Sequence, residues 1–255
     1  MALPELLGLE NDVATAVNEA VAALDEKLGE VVAKTAVDLV INDPETDVRI
    51  IRNAETNLGD LCADAYRDQS GADIAFVNGG GVRVSIDAGD ITLNDILLVH
   101  PFGNAMCVVE ATGQQILDAL EWGARVVPEE SGGFLQVSGL TYEIHTYIES
   151  SCTQDENGLF TGVSGEYRVK NVKVNGEDLD LEKTYTLASH NYMLKNAGDG
   201  FTMFQNDPIL QDEVMLDNQV LINYITGTLG GNVGEAYANP YGDGRIVAVT
   251  EAPAE

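Results

Sequence analysis

Asn78-Gly79-Gly80-Gly81-Val82-Arg83 follows directly on the strand-like run Asp73-Ile74-Ala75-Phe76-Val77. Three successive glycines allow positive φ and leave backbone amides open to a ligand, while Asn78 and Arg83 supply polar contacts from either end. That chemistry suits a small anion or a nucleotide, although a glycine-rich run behind a strand also serves simply as a turn. The run matches neither G-x-x-x-x-G-K-[ST] nor a G-x-G-x-x-G opening a helix, so P-loop and Rossmann chemistry fit it poorly. Four further clusters pair a loop-forming glycine with a residue suited to recognition: Arg52 to Leu61, Pro101-Phe102-Gly103-Asn104, Gly132 to Gly139, and Asn196 to Phe201. Arginine offers a fork to phosphate or ribose oxygens, aspartate accepts from two adjacent hydroxyls, and a loop phenylalanine gives a flat face for a base. Taken singly, each residue also reads as a surface ion pair, a cap or a core side chain. Jointly they compose a nucleoside-phosphate site.

The histidines are poorer candidates. His100, His145 and His190 are dispersed, and no Gly-Asn-His-Glu run is present. His190 stands before Asn191 at the end of a strand, a weak arrangement for a metal, and His100 beside Pro101 reads as part of the Phe102 loop. Asp155-Glu156-Asn157-Gly158 has too few donors for a calcium loop and reads as a hairpin turn.

The elements that position these clusters are legible from periodicity. From Asn11 to Leu28, Val13, Val17, Val21, Leu24 and Leu28 recur near helical spacing, and the sequence leaves open whether this helix connects to a preceding domain or covers the main one. Val31 to Ile41 is β-branched enough for a first strand. Leu58, Leu61, Cys62 and Ala65 form the buried stripe of a second helix leading into the strand before the triple glycine. A strand around Met106 to Glu110 precedes a helix opened by the capping-box pair Thr112 and Gln115. Strands are expected over Leu140 to Ile148, Glu166 to Val174, Thr184 to Ser189 and Arg245 to Val249, with Asn175-Gly176 as a hairpin turn and a helix from Asp217 to Thr228. Helices alternate with strands in the first half and strands cluster in the second. That pattern predicts an α+β fold with mixed sheets rather than a doubly wound parallel sheet. A tail is expected over 251–255.

Composition narrows the function classes. With 42 acidic and 13 basic side chains in 255 residues, the formal charge of −29 argues against general nucleic-acid or anionic-membrane binding, so an anionic ligand must be met by a few placed arginines. No stretch has the length and apolarity of a membrane span, and the N-terminus lacks signal-peptide character. Cys62, Cys107 and Cys152 are too few for a disulfide framework or zinc site; the first two read as core packing.

In order and spacing these clusters resemble the C-terminal domain of the 5'-nucleotidase family, which includes UDP-sugar hydrolases, over about Val31 to Val249. The resemblance implies a layered α-β-β-α substrate-binding domain over 31–250, with residues 1–30 as an inter-domain connector. It implies a nucleoside or nucleotide as ligand. As partner it implies an N-terminal metallophosphoesterase domain of the same polypeptide, whose two divalent metal ions perform hydrolysis. Carried over residue by residue, Arg52 and Arg83 reach the ribose and phosphate side, and Asn78 and Gly80 lie in the triple-glycine run near the nucleotide. Phe102 is one of two aromatics that sandwich the base, Asn104 is a polar residue of the same loop, and Asp199 takes the ribose hydroxyls. The second aromatic position falls on Met193, with Tyr192 just before it. A thioether lies against a base without ring-on-ring stacking, or Tyr192 takes its place through a shifted loop. The resemblance assigns no catalytic residue, metal ligand or cofactor to this chain. It implies a periplasmic, cell-wall or otherwise extracellular location. The competing class is a non-catalytic nucleotide-binding or cell-surface interaction module on the same fold.

Overall fold

The computed structural model describes residues 3–252, with side chains from 12 onward; of the tail expected over 251–255, only the first two residues fall within it. A five-stranded sheet carries the architecture, in the order Ile209–Gln211, Met106–Thr112, Thr184–His190, Ile74–Asn78, Leu135–Ser138. Thr184–His190 runs parallel to Ile74–Asn78, and the other pairings are antiparallel. The inner strand Ile74–Asn78 is buried at every position and apolar at all but Asn78, because both faces are covered. Side chains two apart share a face, so Ile74 and Phe76 enter one core while Ala75 and Val77 enter the other. Cys107 and Val109 are split from Met106 and Val108 in the same way.

On one face lie the helix Asn57–Ser70 and the helix Asp217–Asn223, which continues as a π-helical turn over Tyr224–Thr228. Leu58, Leu61, Cys62 and Ala65 pack there against Val220, Leu221 and Ile225. On the other face lie the helix Gly113–Ala124 and a second mixed sheet, ordered Glu177–Asp178, Val169–Val174, Leu140–His145, Ile246–Val249. Ile116, Ala119 and Leu120 share that core with Tyr142, Ile144 and Val172. This is the α+β layering with mixed sheets read from the sequence.

Local chemistry sets the element ends. Thr112 accepts from the Gln115 amide at 3.3 Å and the Gln115 side chain accepts from the Thr112 amide at 2.8 Å, so the expected capping box opens Gly113–Ala124. Asn175 and Gly176 have φ of 50° and 86°, the left-handed pair that a two-residue hairpin requires. Asp155 Oδ1 accepts from the amides of Asn157 and Leu159, both at 2.9 Å, and turns the chain between the strands Cys152–Gln154 and Phe160–Val163. Cys62 and Cys107 are buried free thiols.

One local outcome differs from the sequence pattern. The first strand stops at Thr35 rather than reaching Ile41, because the Thr35 hydroxyl accepts from the Val37 amide at 3.2 Å and donates to the Val37 carbonyl at 2.7 Å, folding the chain out of the ladder. The short strand Gly89–Thr92 passes into the helix Leu93–Val99 through a second capping box, Thr92 with Asp95. The N-terminal helix spans Leu3–Leu28, and Val13, Val17, Val21 and Leu24 are each at least half exposed, so its apolar stripe is not covered by the domain it precedes. Among the described residues, no helix is long and apolar enough to cross a membrane.

Candidate ligand-binding site

The C-terminal ends of the parallel strands Ile74–Asn78 and Thr184–His190 leave the sheet side by side and deliver Asn78 and His190 to one place. A crevice at the carboxyl ends of parallel strands is where α/β sheets commonly hold ligands. Here a cavity of about 420 Å³ opens there, lined by Arg52, Asn78, Gly80, Phe102, Asn104 and Asp199 of the residues singled out from the sequence, together with Gly81, Gly132 and Tyr192.

The triple glycine works differently from its sequence reading. The amides of Gly79, Gly80 and Gly81 are not open to a ligand: they donate to the carbonyls of Phe134, Gly132 and Asn78 at 2.7, 2.8 and 2.8 Å. None of the three has positive φ. What the glycines permit is close approach. A Cβ on Gly79 would stand 2.2 Å from the Ile51 carbonyl oxygen, and one on Gly80 would stand 2.9 Å from that of Gly132. The Arg52 segment is therefore drawn against the strand end, and Gln136 ties it down by donating to the Ile51 and Ala54 carbonyls at 3.0 and 2.7 Å.

Asp199 is the most constrained polar group of the wall. Its backbone is left-handed, with φ 52°, between Ala197 at 51° and Gly200 at 87°. The Trp122 indole holds it there by donating to the Asp199 carbonyl at 2.9 Å. Its carboxylate accepts from Asn78 Nδ2 at 2.6 Å and from the Tyr192 hydroxyl at 3.1 Å, and the Asp199 amide donates back to that hydroxyl at 3.1 Å. Gly198 makes room for the tyrosine, since a Cβ there would stand 2.3 Å from the Tyr192 ring. Alanine tolerates a left-handed backbone poorly, so Ala197→Gly is expected to stabilise the protein by up to about 1 kcal/mol, part of the gain being returned as unfolded-state entropy. Thermal melting checks this. A lower melting temperature would show that the buried Ala197 methyl outweighs the backbone strain.

Tyr192 and Met193 face opposite ways from the short helix Asn191–Leu194. Met193 is fully buried, with its sulfur 3.9 Å from the Ser189 hydroxyl, whereas Tyr192 is exposed and lines the cavity. Phe102 is 61% exposed. Its loop is anchored from behind, where the Asn104 amide donates to the Asp217 carboxylate at 3.2 Å and the Asp217 amide donates to the Asn104 carbonyl at 2.9 Å. Burial pushes the Asp217 carboxyl up to about 6.

The electrostatics of this wall oppose the charge of the chain. Arg52 is half-buried and its Nε has no hydrogen-bond partner among the described residues. Burial foremost, then the charges of Arg49 and Arg83, hold its guanidinium below the usual arginine range. Arg83 is exposed, donates to the Gly80 carbonyl at 3.2 Å and stands 5.8 Å from the centre of the Phe102 ring. Arg52 in the wall, with Arg83 outside the cavity lining but beside Phe102, thus meets an apolar face next to a fixed carboxylate, an arrangement suited to a flat polar molecule bearing vicinal hydroxyls and an anionic group.

A separate cluster of Glu55, Asp60 and Asp243 has a structural occupation. Glu55 accepts from the amides of Asp243, Gly244 and Ile246 at 2.8, 3.0 and 2.7 Å, and Arg245 donates to Asp243 at 2.9 Å and to Asp64 at 2.7 Å. Burial pushes Asp60 up to about 9 against the opposing charge of Arg245. The cluster ties the C-terminal strand to the helix Asn57–Ser70.

Sequence reasoning missed Trp122 and, while it placed His190 at a strand end, gave it no part in the site. The one usable signal for Trp122 was its place on the buried face of a capped helix; nothing local linked it to residue 199.

Comparison with known proteins agrees with this fold. Residues 31–206 match the family described as 5'-nucleotidase, C-terminal domain. The chain is 31% identical over 208 residues to protein UshA of Escherichia coli K12, covering 82% of this chain and 32% of UshA. It is 34% identical over 208 residues to the trifunctional nucleotide phosphoesterase protein YfkN of Bacillus subtilis 168, covering 78% of this chain and 13% of that protein. The fold superposes on a 5'-nucleotidase precursor from Thermus thermophilus with a TM-score of 0.74 at 30% identity, covering 94% of this chain and 43% of that one. The chain thus spans about a third or less of the length of these two curated relatives.

Proposed function

We propose, from the premise that this chain belongs to the 5'-nucleotidase family and corresponds to its C-terminal domain, that it is the nucleoside- and nucleotide-binding half of a phosphoester hydrolase. The observation that carries the proposal is the convergence of Phe102, Tyr192, Asp199 and Arg52 on one cavity. The base lies against Phe102, with Tyr192 rather than Met193 offering the second ring, because the tyrosine is the one of the pair that reaches the cavity. The ribose hydroxyls donate to Asp199. Arg52 and Arg83 hold the phosphate end, and Asn78, Gly80 and Asn104 shape the walls.

Hydrolysis belongs to the remainder of the polypeptide, where a metallophosphoesterase domain would carry two divalent metal ions that activate water. The helix Leu3–Leu28 would connect the two halves, consistent with its uncovered apolar stripe. The whole protein would release phosphate from nucleoside monophosphates or related nucleotide esters, in the periplasm or outside the cell.

Calorimetric titration with adenosine, adenosine monophosphate and a UDP-sugar, run beside a phosphate-release assay with divalent metal, tests the proposal. Binding without release is expected. Phe102→Ala should weaken binding by about 1–3 kcal/mol, the usual worth of a stacked base, and its high exposure means that the melting temperature should hold. Absence of binding to all three ligands would favour a non-catalytic interaction module on this fold.

A further inference from the structure

His190 is used by nothing described so far, yet it touches the centre of the site. It is 2% exposed, packed between the rings of Tyr66 and Tyr192 at centroid distances of 6.4 and 5.9 Å. Its two nitrogens have different partners. The Met193 amide donates to Nδ1 at 3.3 Å, so Nδ1 is the acceptor and the ring proton of the neutral imidazole sits on Nε2, which faces Asn78 Oδ1 at 2.9 Å. The ring is neutral: burial, reinforced by nearby His100, pulls His190 down to about 3.

We propose that His190 is a positioning residue for ribose recognition, which fixes the Asn78 amide so that its NH2 group always faces Asp199. The inference rests on the nucleoside-binding reading given above. A side-chain amide has two orientations of nearly equal shape, and only donors and acceptors around it choose between them. With Nε2–H on Oδ1, the Asn78 nitrogen is directed to Asp199 Oδ2 at 2.6 Å. The reversed amide would set its oxygen against the carboxylate and leave the buried His190 donor without an acceptor, both costly. Tyr192 holds the other carboxylate oxygen at 3.1 Å. Each oxygen keeps a further acceptor direction, so the carboxylate is held at two points and can receive a vicinal diol. A ligand without that diol gains nothing from the chain His190–Asn78–Asp199.

The test compares wild type, His190→Phe and His190→Gln by calorimetry with adenosine and with 2',3'-dideoxyadenosine. His190→Phe is expected to lose about tenfold in adenosine affinity with no change for the dideoxy ligand. His190→Gln, which can return an amide N–H to Asn78, should recover most of the loss. Equal losses for both nucleosides, or no loss for either, would overturn the proposal while leaving the nucleoside site intact. If wild type binds neither nucleoside, the functional reading fails and the proposal fails with it. In case His190→Phe does not fold, nitrogen NMR of the histidines in the wild-type chain reads the tautomer directly. The neutral Nε2–H form is expected near neutral pH, and a protonated or Nδ1–H ring would overturn the proposal regardless of any ligand.

Discussion

Asp199→Asn and Asp199→Ala should both lose adenosine binding, the alanine variant by about a hundredfold or more. Two hydroxyls donating to a carboxylate are each worth about 1.5–3 kcal/mol, so removing the acceptor forfeits roughly 3 kcal/mol or more. Alanine adds a second loss. It leaves Asn78 Nδ2 and the Tyr192 hydroxyl without their acceptor, and it fits the left-handed backbone at φ 52° less well than aspartate does. Asparagine keeps the backbone tolerance and one oxygen, so it should fall between wild type and alanine. Calorimetry with adenosine, read alongside the melting temperature, separates the two losses. Wild-type affinity in Asp199→Asn would remove the carboxylate charge from recognition.

Trp122→Ala is expected to destabilise the fold by about 3–5 kcal/mol, the usual range for truncating a buried large aromatic. For a chain of this length that is a melting-temperature drop on the order of 10 °C. Trp122 is 1% exposed, meets the Phe160 ring edge-on at 5.5 Å and carries the Arg125 guanidinium 3.8 Å from its ring. It also donates to the Asp199 carbonyl at 2.9 Å. Trp122→Phe separates packing from positioning, since phenylalanine fills much of the volume but has no N–H. That variant should melt closer to wild type and yet bind adenosine more weakly, because the left-handed turn at Asp199 loses its restraint. Normal adenosine affinity in a folded Trp122→Phe protein would show that the turn holds Asp199 without the indole.

Both predictions concern groups whose joint action no local pattern announces. Asp199 was legible as a hydroxyl acceptor from Asn196 to Phe201 and from its resemblance to a known motif. Trp122 stands 77 positions earlier in the chain and was silent. The triple glycine was read correctly as special and incorrectly as to why. Glycine marks either a positive φ or a close approach, and composition alone does not tell the two apart. The carbonyls of Ile51 and Gly132 that crowd Gly79 and Gly80 come from distant segments.

The sequence by itself determined the α+β class with mixed sheets, because period-two burial, capping boxes and left-handed hairpin pairs are local physics written in adjacent residues. It also narrowed the binding chemistry, since a charge of −29 leaves few cations to meet an anion and makes Arg52 and Arg83 candidates for that role. The tertiary structure alone decided which of Tyr192 and Met193 reaches the cavity, because that depends on the roll of the short helix Asn191–Leu194 against the core. It alone decided the role of His190 as well. Its partner Asn78 is 112 positions away, and only the parallel pairing of two strand ends brings the imidazole to the amide.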